Sequence, residues 1–164
     1  MEHIVYLSLG TNIGDKVGNL NVAIDKINAR IGTVTSQSSF IATLPWGYES
    51  DHEFMNACIC LSTSMSPFQL LDACQSIECE MGRIEKSSSQ LMPDGSVQHV
   101  YHDRIIDIDI LLYDTMTINT PRLTIPHAQM LRRRFVLEPL AEIAPLLQIP
   151  NTCKNVSELL QELV

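Results

Sequence analysis

Hydrophobic positions follow two different spacings along the chain, and these predict the order of its elements. Apolar and β-branched runs predict four strands, at 3–9, 33–42, 54–64 and 105–113. Apolar residues three and four positions apart predict helices at 17–31 and 67–81, the second with Ser66 as its N-cap. Shorter helices are predicted near 127–133, near 139–144 and from about 156 to the end.

The order β-α-β-β-α-β up to Tyr113 predicts an α+β fold with a ferredoxin-like core. This is an antiparallel sheet with helices on one face, to which the C-terminal helices are added. The length of 164 residues fits a single domain spanning 1–164. A serine run at 87–89 and the sequence Pro93-Asp94-Gly95 predict an exposed loop or a small hairpin within 86–103.

Composition narrows the possible partners. The net charge is -8 and the pI is near 5.0, so a general basic surface for nucleic acid is not expected. No apolar run reaches membrane-spanning length and the first residues do not match a signal peptide, which predicts a cytoplasmic protein. The five cysteines lack C-x-x-C spacing, and we expect buried thiols rather than zinc ligands or disulfides.

Two acidic residues in the last predicted core strand are the first candidates for chemistry. Strand side chains alternate, so Asp107 and Asp109 share one face while the isoleucines between and beside them face the core. Carboxylates two residues apart lie about 6–7 Å from each other, and their repulsion is about 2–3 kcal/mol at an effective dielectric near 20. Bound Mg²⁺ would relieve it. The alternative is a solvent-facing strand that carries Asp twice.

Basic residues concentrate after this strand. Arg122, His127 and the run 132–134 form a candidate phosphate-binding patch in an otherwise acidic chain. The alternative is a solvated helix face paired with Glu138 or Glu142. Arg83 and Arg104 stand at the edges of predicted loops, where they are either phosphoryl-stabilising groups or ordinary surface arginines.

Aromatic and amide residues around a Pro- and Gly-containing loop suggest a site for a planar heterocycle. Trp46 and Phe54 flank this loop and Asn56 follows it, although Phe54 fits a core position equally well. The turn Gly10–Gly14 matches neither the P-loop nor the dinucleotide fingerprint, and we interpret it as a turn of close approach.

Three stretches together resemble the 6-hydroxymethyl-7,8-dihydropterin pyrophosphokinase family of folate biosynthesis. The opening Tyr6–Asp15 is similar to the family's first strand and turn, and Arg104–Tyr113 to its signature R-x-x-D-[LI]-D-[IL]. The run from Pro121 through Pro145 is similar to its C-terminal segment. The resemblance is collinear over nearly the whole chain.

The resemblance implies transfer of pyrophosphate from ATP to the pterin hydroxymethyl group, with release of AMP. Asp107 and Asp109 would hold two Mg²⁺ ions, and Arg83, Arg104 and Asp107 would act in catalysis. It implies an ATP site formed by Gln75, Glu78, Ile110, Arg122, Thr124, His127 and Arg133. It implies a pterin site formed by Thr43, Pro45, Trp46, Phe54, Asn56 and Phe135. The ligands would be small molecules, with no nucleic acid, membrane or protein partner.

Several positions depart from the family pattern. Glu85 stands where a second arginine is common, and Tyr101–Asp103 replaces an aromatic-Gly-Pro sequence. Leu44 and Ala128 also differ from the usual residues. We expect the long segment 84–103 to be a mobile loop that closes over ATP. The alternatives are a different metal-dependent phospho- or nucleotidyltransferase and a non-catalytic ligand-binding module of the same fold.

Overall fold

The computed structural model describes residues 2–43, 53–82, 87–91, 97–101 and 105–163. The longer strands are β1 His3–Thr11, β2 Thr33–Gln37, β3 Ile41–Thr43, β4 Phe54–Thr63, β5 Ser87–Leu91, β6 Val97–Tyr101 and β7 Asp107–Tyr113. Four two-residue strands follow: β8 Ile118–Asn119, β9 Thr124–Ile125, β10 Gln148–Ile149 and β11 Lys154–Asn155. The helices are α1 Lys16–Arg30, α2 Pro67–Glu80, α3 Arg134–Ile143 and α4 Val156–Glu162, with a 3₁₀ turn at Met130–Arg132.

The central sheet has the order β2-β4-β1-β7, and β3 also pairs with β4. All of these pairings are antiparallel. This is the strand order of a ferredoxin-like βαββαβ core, in which each helix connects two strands that are separated by a third. The predicted fold class is therefore confirmed. β7 lies at one edge of the sheet, which matters for the site.

Helix α2 begins and ends as the sequence predicts. Ser66 accepts a hydrogen bond from the Gln69 amide, and the Gln69 side chain accepts one from the Ser66 amide, which completes a capping box. Gly82 follows the helix with a φ of 104°, a conformation that favours glycine. Both ends of α2 are thus set by local sequence, and the helix holds its side chains in a defined register against β7.

Helices cover both faces of the sheet. On one face, α1 and α2 pack against β1, β4 and β7 through side chains such as Leu7, Ile24 and Ile77. On the other, α3 and α4 enclose a second core that includes Leu111 and Leu137. The C-terminal helices therefore form a third layer, and α3 packs against β3 and β4.

The structure differs from the sequence predictions at several boundaries. The predicted strand 33–42 is two strands, because Ser38 turns inward and its hydroxyl accepts from the Cys58 amide at 2.9 Å. The helices predicted at 127–133 and 139–144 are a 3₁₀ turn and one longer helix that contains Pro139. Segment 86–103 contains the hairpin strands β5 and β6. None of the described helices is long and apolar enough to span a bilayer.

All five cysteines are free thiols, as predicted. Cys58, Cys60 and Cys74 are buried, and burial raises the pKa of the Cys58 thiol. The expectation of burial is wrong for Cys79 and Cys153, which are exposed. Cys79 lies in α2 directly after the buried Glu78, on the solvent side of the helix.

Candidate active site

The acidic pair lies on the edge strand β7 with the predicted alternation. Asp107 and Asp109 are half-buried, whereas Ile106, Ile108 and Ile110 are at most 4% exposed and belong to the core between the sheet and α1/α2. Asp107 pairs with Gly10 of β1, and Asp109 pairs with Ser8. The two carboxylates therefore emerge on the face of the sheet that carries α3.

A row of residues on the same face runs from the acidic pair across the sheet. Gly10 stands between Asp107 on β7 and Asn56 on β4. Asn56 is 4% exposed, and its Nδ2 donates to the Thr43 hydroxyl of β3 at 3.1 Å. Strands are spaced about 4.8 Å apart, so Asn56 lies about 10 Å from Asp107 across the sheet.

Gly10 gives Asn56 the space for this arrangement. A Cβ at position 10 would lie 2.8 Å from the Asn56 Oδ1, closer than real Cβ atoms come to neighbouring atoms. The expected close approach is thus present, although it is in β1 rather than in the turn that follows. The turn itself is held by Asn19, whose Nδ2 donates to the Ile13 carbonyl at 2.9 Å.

Aromatic residues border the same region. Phe54 is half-buried and two residues before Asn56 in β4, so both side chains project from the same face. Phe135 is in the first turn of α3, the helix that packs against β3 and β4. The Arg133 guanidinium lies 5.6 Å from the centroid of the Phe135 ring. Of the expected pterin residues, Thr43, Phe54 and Asn56 are on neighbouring strands, and Phe135 is on the helix packed against them.

A second group of residues lies along the outer edge of β7. Glu78 of α2 is 3% exposed, and its Oε2 accepts from the Ile108 amide at 2.8 Å. On the same edge, the His127 amide donates to the Leu111 carbonyl at 3.0 Å, which brings the segment containing Thr124 beside β7. Gln75 is exposed one turn before Glu78. Four of the expected ATP residues, Gln75, Glu78, Thr124 and His127, are therefore on elements that border this edge.

The orientation of His127 suits an anion. Its Nδ1 accepts from the Gln129 amide at 3.1 Å, so the neutral ring carries its proton on Nε2. That N–H is a donor of the kind that binds phosphate oxygens.

Other expected residues are placed differently. Ile110 is 4% exposed and in the core, so only its backbone can contact a nucleotide. Arg122 pairs with Asp72 of α2, and its guanidinium lies 5.9 Å from the Phe68 ring centroid. Arg134 pairs with Glu138 at 3.4 Å, as the surface-helix alternative expects.

Four expected site residues fall outside the described residues: Arg83, Arg104, Pro45 and Trp46. The departures Leu44, Glu85, His102 and Asp103 also fall there. The expected closure of 84–103 stays a prediction, since the structure describes only the strands β5 and β6 within that segment.

The sequence reasoning missed two structural partners of expected site residues. Asp72 was not noticed as a partner of Arg122, nor was the contact between Glu78 and the β7 backbone. Asp72, Gln75 and Glu78 recur at three-residue spacing in α2, which places them along one side of the helix. That spacing was the available signal.

The donor set at the acidic pair fits magnesium. Two carboxylates projecting together from one strand are oxygen ligands of the kind that Mg²⁺ takes, with phosphate oxygens and water completing its shell. Within the described ranges, no group of three or more His, Cys, Asp or Glu side chains could hold a metal ion. The pair would therefore bind the ion together with a phosphate ligand.

The fold and the site define an α+β protein with an acidic pair on β7. On one side of this pair are the residues around Asn56 and Phe54, and on the other is the outer edge of β7, where His127 lies. The family model described as 7,8-dihydro-6-hydroxymethylpterin-pyrophosphokinase (HPPK) matches residues 6–145. The chain belongs to this family.

Named relatives agree with the family match. A 2-amino-4-hydroxy-6-hydroxymethyldihydropteridine pyrophosphokinase of Porphyromonas gingivalis is 43% identical over 143 residues, which cover 87% of this chain and 91% of the relative. The protein of the same name from Bacillus subtilis is 39% identical, over 87% of this chain and 79% of the relative.

Solved structures share the fold. Plasmodium falciparum HPPK-DHPS, crystallised as wild type with pteroate, matches with a TM-score of 0.76 and 16% identity. The match covers 99% of this chain and 42% of the Plasmodium chain, so this chain spans less than half of that larger protein.

Proposed function

We propose that this protein transfers pyrophosphate from ATP to the hydroxymethyl group of 6-hydroxymethyl-7,8-dihydropterin, releasing AMP, as a step of folate biosynthesis. The names of its relatives support this reaction class. The observation that carries the proposal is the position of Asp107 and Asp109, between the Asn56 region and the outer edge of β7. A reaction that joins a heterocycle to a polyphosphate needs such an arrangement.

The pterin would bind against β3 and β4. Asn56 is held by Thr43 and offers an amide with both donor and acceptor atoms, which suits the edge of a pterin ring. Phe54 and Phe135 would stack on the two faces of the ring, with Pro45 and Trp46 completing the pocket. Burial of Asn56 favours recognition, because a polar group left unpaired there costs free energy.

ATP would bind along the outer edge of β7. His127 would donate to a phosphate through Nε2, while Thr124 and the Ile110 backbone would border the nucleoside. Gln75, Arg122 and Arg133 complete the proposed set, with Glu78 beside them. To reach a phosphate, the Arg122 guanidinium would have to break its ion pair with Asp72, or the two side chains would have to move together.

The transfer step is a displacement at the β-phosphorus. The pterin hydroxyl oxygen forms the new bond to the β-phosphorus and releases its proton to solvent. The bond from the β-phosphorus to the oxygen shared with the α-phosphate breaks, and AMP leaves with that oxygen. Asp107 would orient the hydroxyl, and Arg83 and Arg104 would balance charge on the transferred group. Two Mg²⁺ ions held by Asp107 and Asp109 would neutralise phosphate charge and lower the proton affinity of the alcohol.

Release of AMP measured with ATP, Mg²⁺ and the reduced hydroxymethylpterin tests the proposal. We expect AMP only when all three are present, and none after chelation of the metal. AMP release that does not depend on the pterin would indicate a different phospho- or nucleotidyltransferase. Pterin binding without AMP release under any metal condition would indicate a binding module. The cytoplasmic location and the expected absence of nucleic-acid, membrane and protein partners stay predictions from the sequence.

A further inference from the structure

Glu78 is a buried carboxylate at the boundary between α2 and the acidic strand. It is 3% exposed, and it is in the last turns of a helix whose neighbouring buried residues are apolar, such as Cys74 and Ile77. Burying a carboxylate is costly unless it is well hydrogen-bonded, so its partners indicate its role. A side chain with so little exposed surface also has little area to offer a nucleotide.

One hydrogen bond of Glu78 is to the backbone between the two acidic residues. Its Oε2 accepts from the Ile108 amide at 2.8 Å, a distance typical of a charge-assisted hydrogen bond. Ile108 is directly between Asp107 and Asp109, and its peptide nitrogen is joined to the Asp107 carbonyl carbon. This bond therefore restrains the Asp107–Ile108 peptide, the first of the two peptide units between the two candidate metal ligands.

The position of β7 makes this restraint important. β7 is at the edge of the central sheet, so it has a paired strand, β1, on one side only. The Ile108 amide is directed away from β1 and toward α2, so the sheet ladder does not fix it. Glu78 supplies the acceptor that a further strand would otherwise provide.

We infer that Glu78 is a positioning residue for the acidic pair rather than a direct nucleotide ligand. Its hydrogen bond to Ile108 holds Asp107 and Asp109 at a spacing that accepts Mg²⁺, and the inference rests on the proposed function of that pair. Partners that orient metal ligands contribute strongly to metal affinity, with losses of about 10–100-fold when they are removed. The role depends on the acceptor atom, which Gln retains and Ala lacks.

The test compares metal affinity in three variants. Mn²⁺ is titrated into the protein by electron paramagnetic resonance, with saturating α,β-methylene-ATP and no pterin. We expect Glu78→Ala to weaken Mn²⁺ binding about 10–100-fold and Glu78→Gln to stay within about threefold of wild type, since its amide oxygen still accepts. Glu80→Gln removes the same charge from the surface of α2 and should leave Mn²⁺ affinity unchanged.

Wild-type Mn²⁺ affinity in Glu78→Ala would overturn the inference, and so would equal losses of Mn²⁺ affinity in Glu78→Ala and Glu78→Gln. It would also be overturned if both variants bound the nucleotide analogue more weakly in the absence of metal. That last outcome would assign Glu78 to the nucleotide. If Glu78→Ala does not fold, Glu78→Met keeps the length without the acceptor and should show the same loss. Because the titration omits pterin, a failure of pterin-dependent AMP release would refute the proposed reaction without altering this result.

Discussion

The Asn56 carboxamide lies against the bare backbone of Gly10, at a separation that no side chain at position 10 would permit. Gly10 is in β1 between Asn56 and Asp107, so it connects the proposed pterin region to the acidic pair. A small residue in a strand interior usually weakens the strand. Here it creates the space in which a buried amide can be held by Thr43.

Gly10→Ala should therefore weaken pterin binding. The new Cβ would displace Asn56, and we expect the dissociation constant for the pterin to rise about tenfold, the scale of one lost buried hydrogen bond. Isothermal titration calorimetry with the reduced pterin checks this. Gly18→Ala is the matched control, since its Cβ meets the Asp15 side chain near the start of α1. A wild-type pterin affinity in Gly10→Ala would show that pterin binding does not depend on the space that Gly10 leaves for Asn56.

Asp107→Asn and Asp109→Asn should each remove turnover without harming the fold. Each substitution relieves the repulsion between two like charges on one face, so we expect an unchanged or slightly higher melting temperature. AMP release should fall by about 100-fold or more, the scale of losing a group that stabilises transition-state charge. Thermal denaturation checks the melting temperature, and the AMP assay checks the loss of turnover. Near-wild-type turnover in either variant would refute the role of the pair.

Asp72→Ala should strengthen ATP binding if Asp72 competes with phosphate for Arg122. The Arg122–Asp72 pair is exposed, with side-chain exposures of 51% and 62%. Exposed pairs contribute about 0–1 kcal/mol, so the gain in affinity should not exceed about fivefold. Calorimetry with a non-hydrolysable ATP analogue, at low and high salt, measures it. Weaker ATP binding would instead show that Asp72 helps to hold Arg122 in place.

The surface cluster around Glu80 should make stability depend on acid pH. Hydrogen bonds from Arg30 and Lys26 lower the pKa of the Glu80 carboxyl to about 2. Because the folded-state pKa is below its ordinary value of 4.5, the stabilisation is present above about pH 4.5 and is lost as the pH falls toward 2.

Melting temperatures of wild type and Glu80→Gln across this pH range check the effect. We expect a small difference near neutral pH that disappears at the acid end and shrinks in high salt, because exposed pairs are screened. A difference that grows as the pH falls would have the wrong sign for a carboxyl with a lowered pKa.

Thiol accessibility should divide the cysteines into two classes. Cys79 and Cys153 are exposed and should react with Ellman's reagent in the native protein. Cys58, Cys60 and Cys74 are buried and should react only after unfolding. Two fast and three slow thiols are therefore expected, and Cys79→Ser should remove one of the fast ones. More than two fast thiols without unfolding would contradict the burial of the strand cysteines.

Much of the fold follows from the sequence because its signals are local and consistent. The alternation around Asp107, the cap at Ser66 and the periodic apolar face of α2 agree with one another, and the β-α-β-β-α-β order restricts the topology. The extent of α3 was harder to predict, since Pro139 favours a break, and the helix is supported by long-range packing against β4 and α4. The inward turn at Ser38 similarly depends on its long-range bond to Cys58.

The site was predictable in its residues but less so in its geometry. The Asp107/Asp109 pair stands out from strand periodicity alone, since carboxylates are poor strand residues. Asn56 was a candidate from its place after the aromatic-flanked loop, whereas Glu78 became one only through the family resemblance. Nothing local shows that Asn56 faces Gly10 and that Glu78 faces the β7 backbone. The three-residue spacing of Asp72, Gln75 and Glu78 places them on one side of α2, but it does not show that Glu78 contacts Ile108, which is 30 positions away.

The outer side of β7 is closed at two places, by Glu78 on the Ile108 amide and by the His127 amide on the Leu111 carbonyl. An edge strand with unpaired backbone groups is a template on which another chain can add a strand. Natural proteins commonly prevent this with inward-pointing charges or with segments that cover the edge. The groups that border the proposed nucleotide site therefore also occupy backbone atoms with which another chain could otherwise pair. Substitutions there should be assessed for solubility as well as for activity.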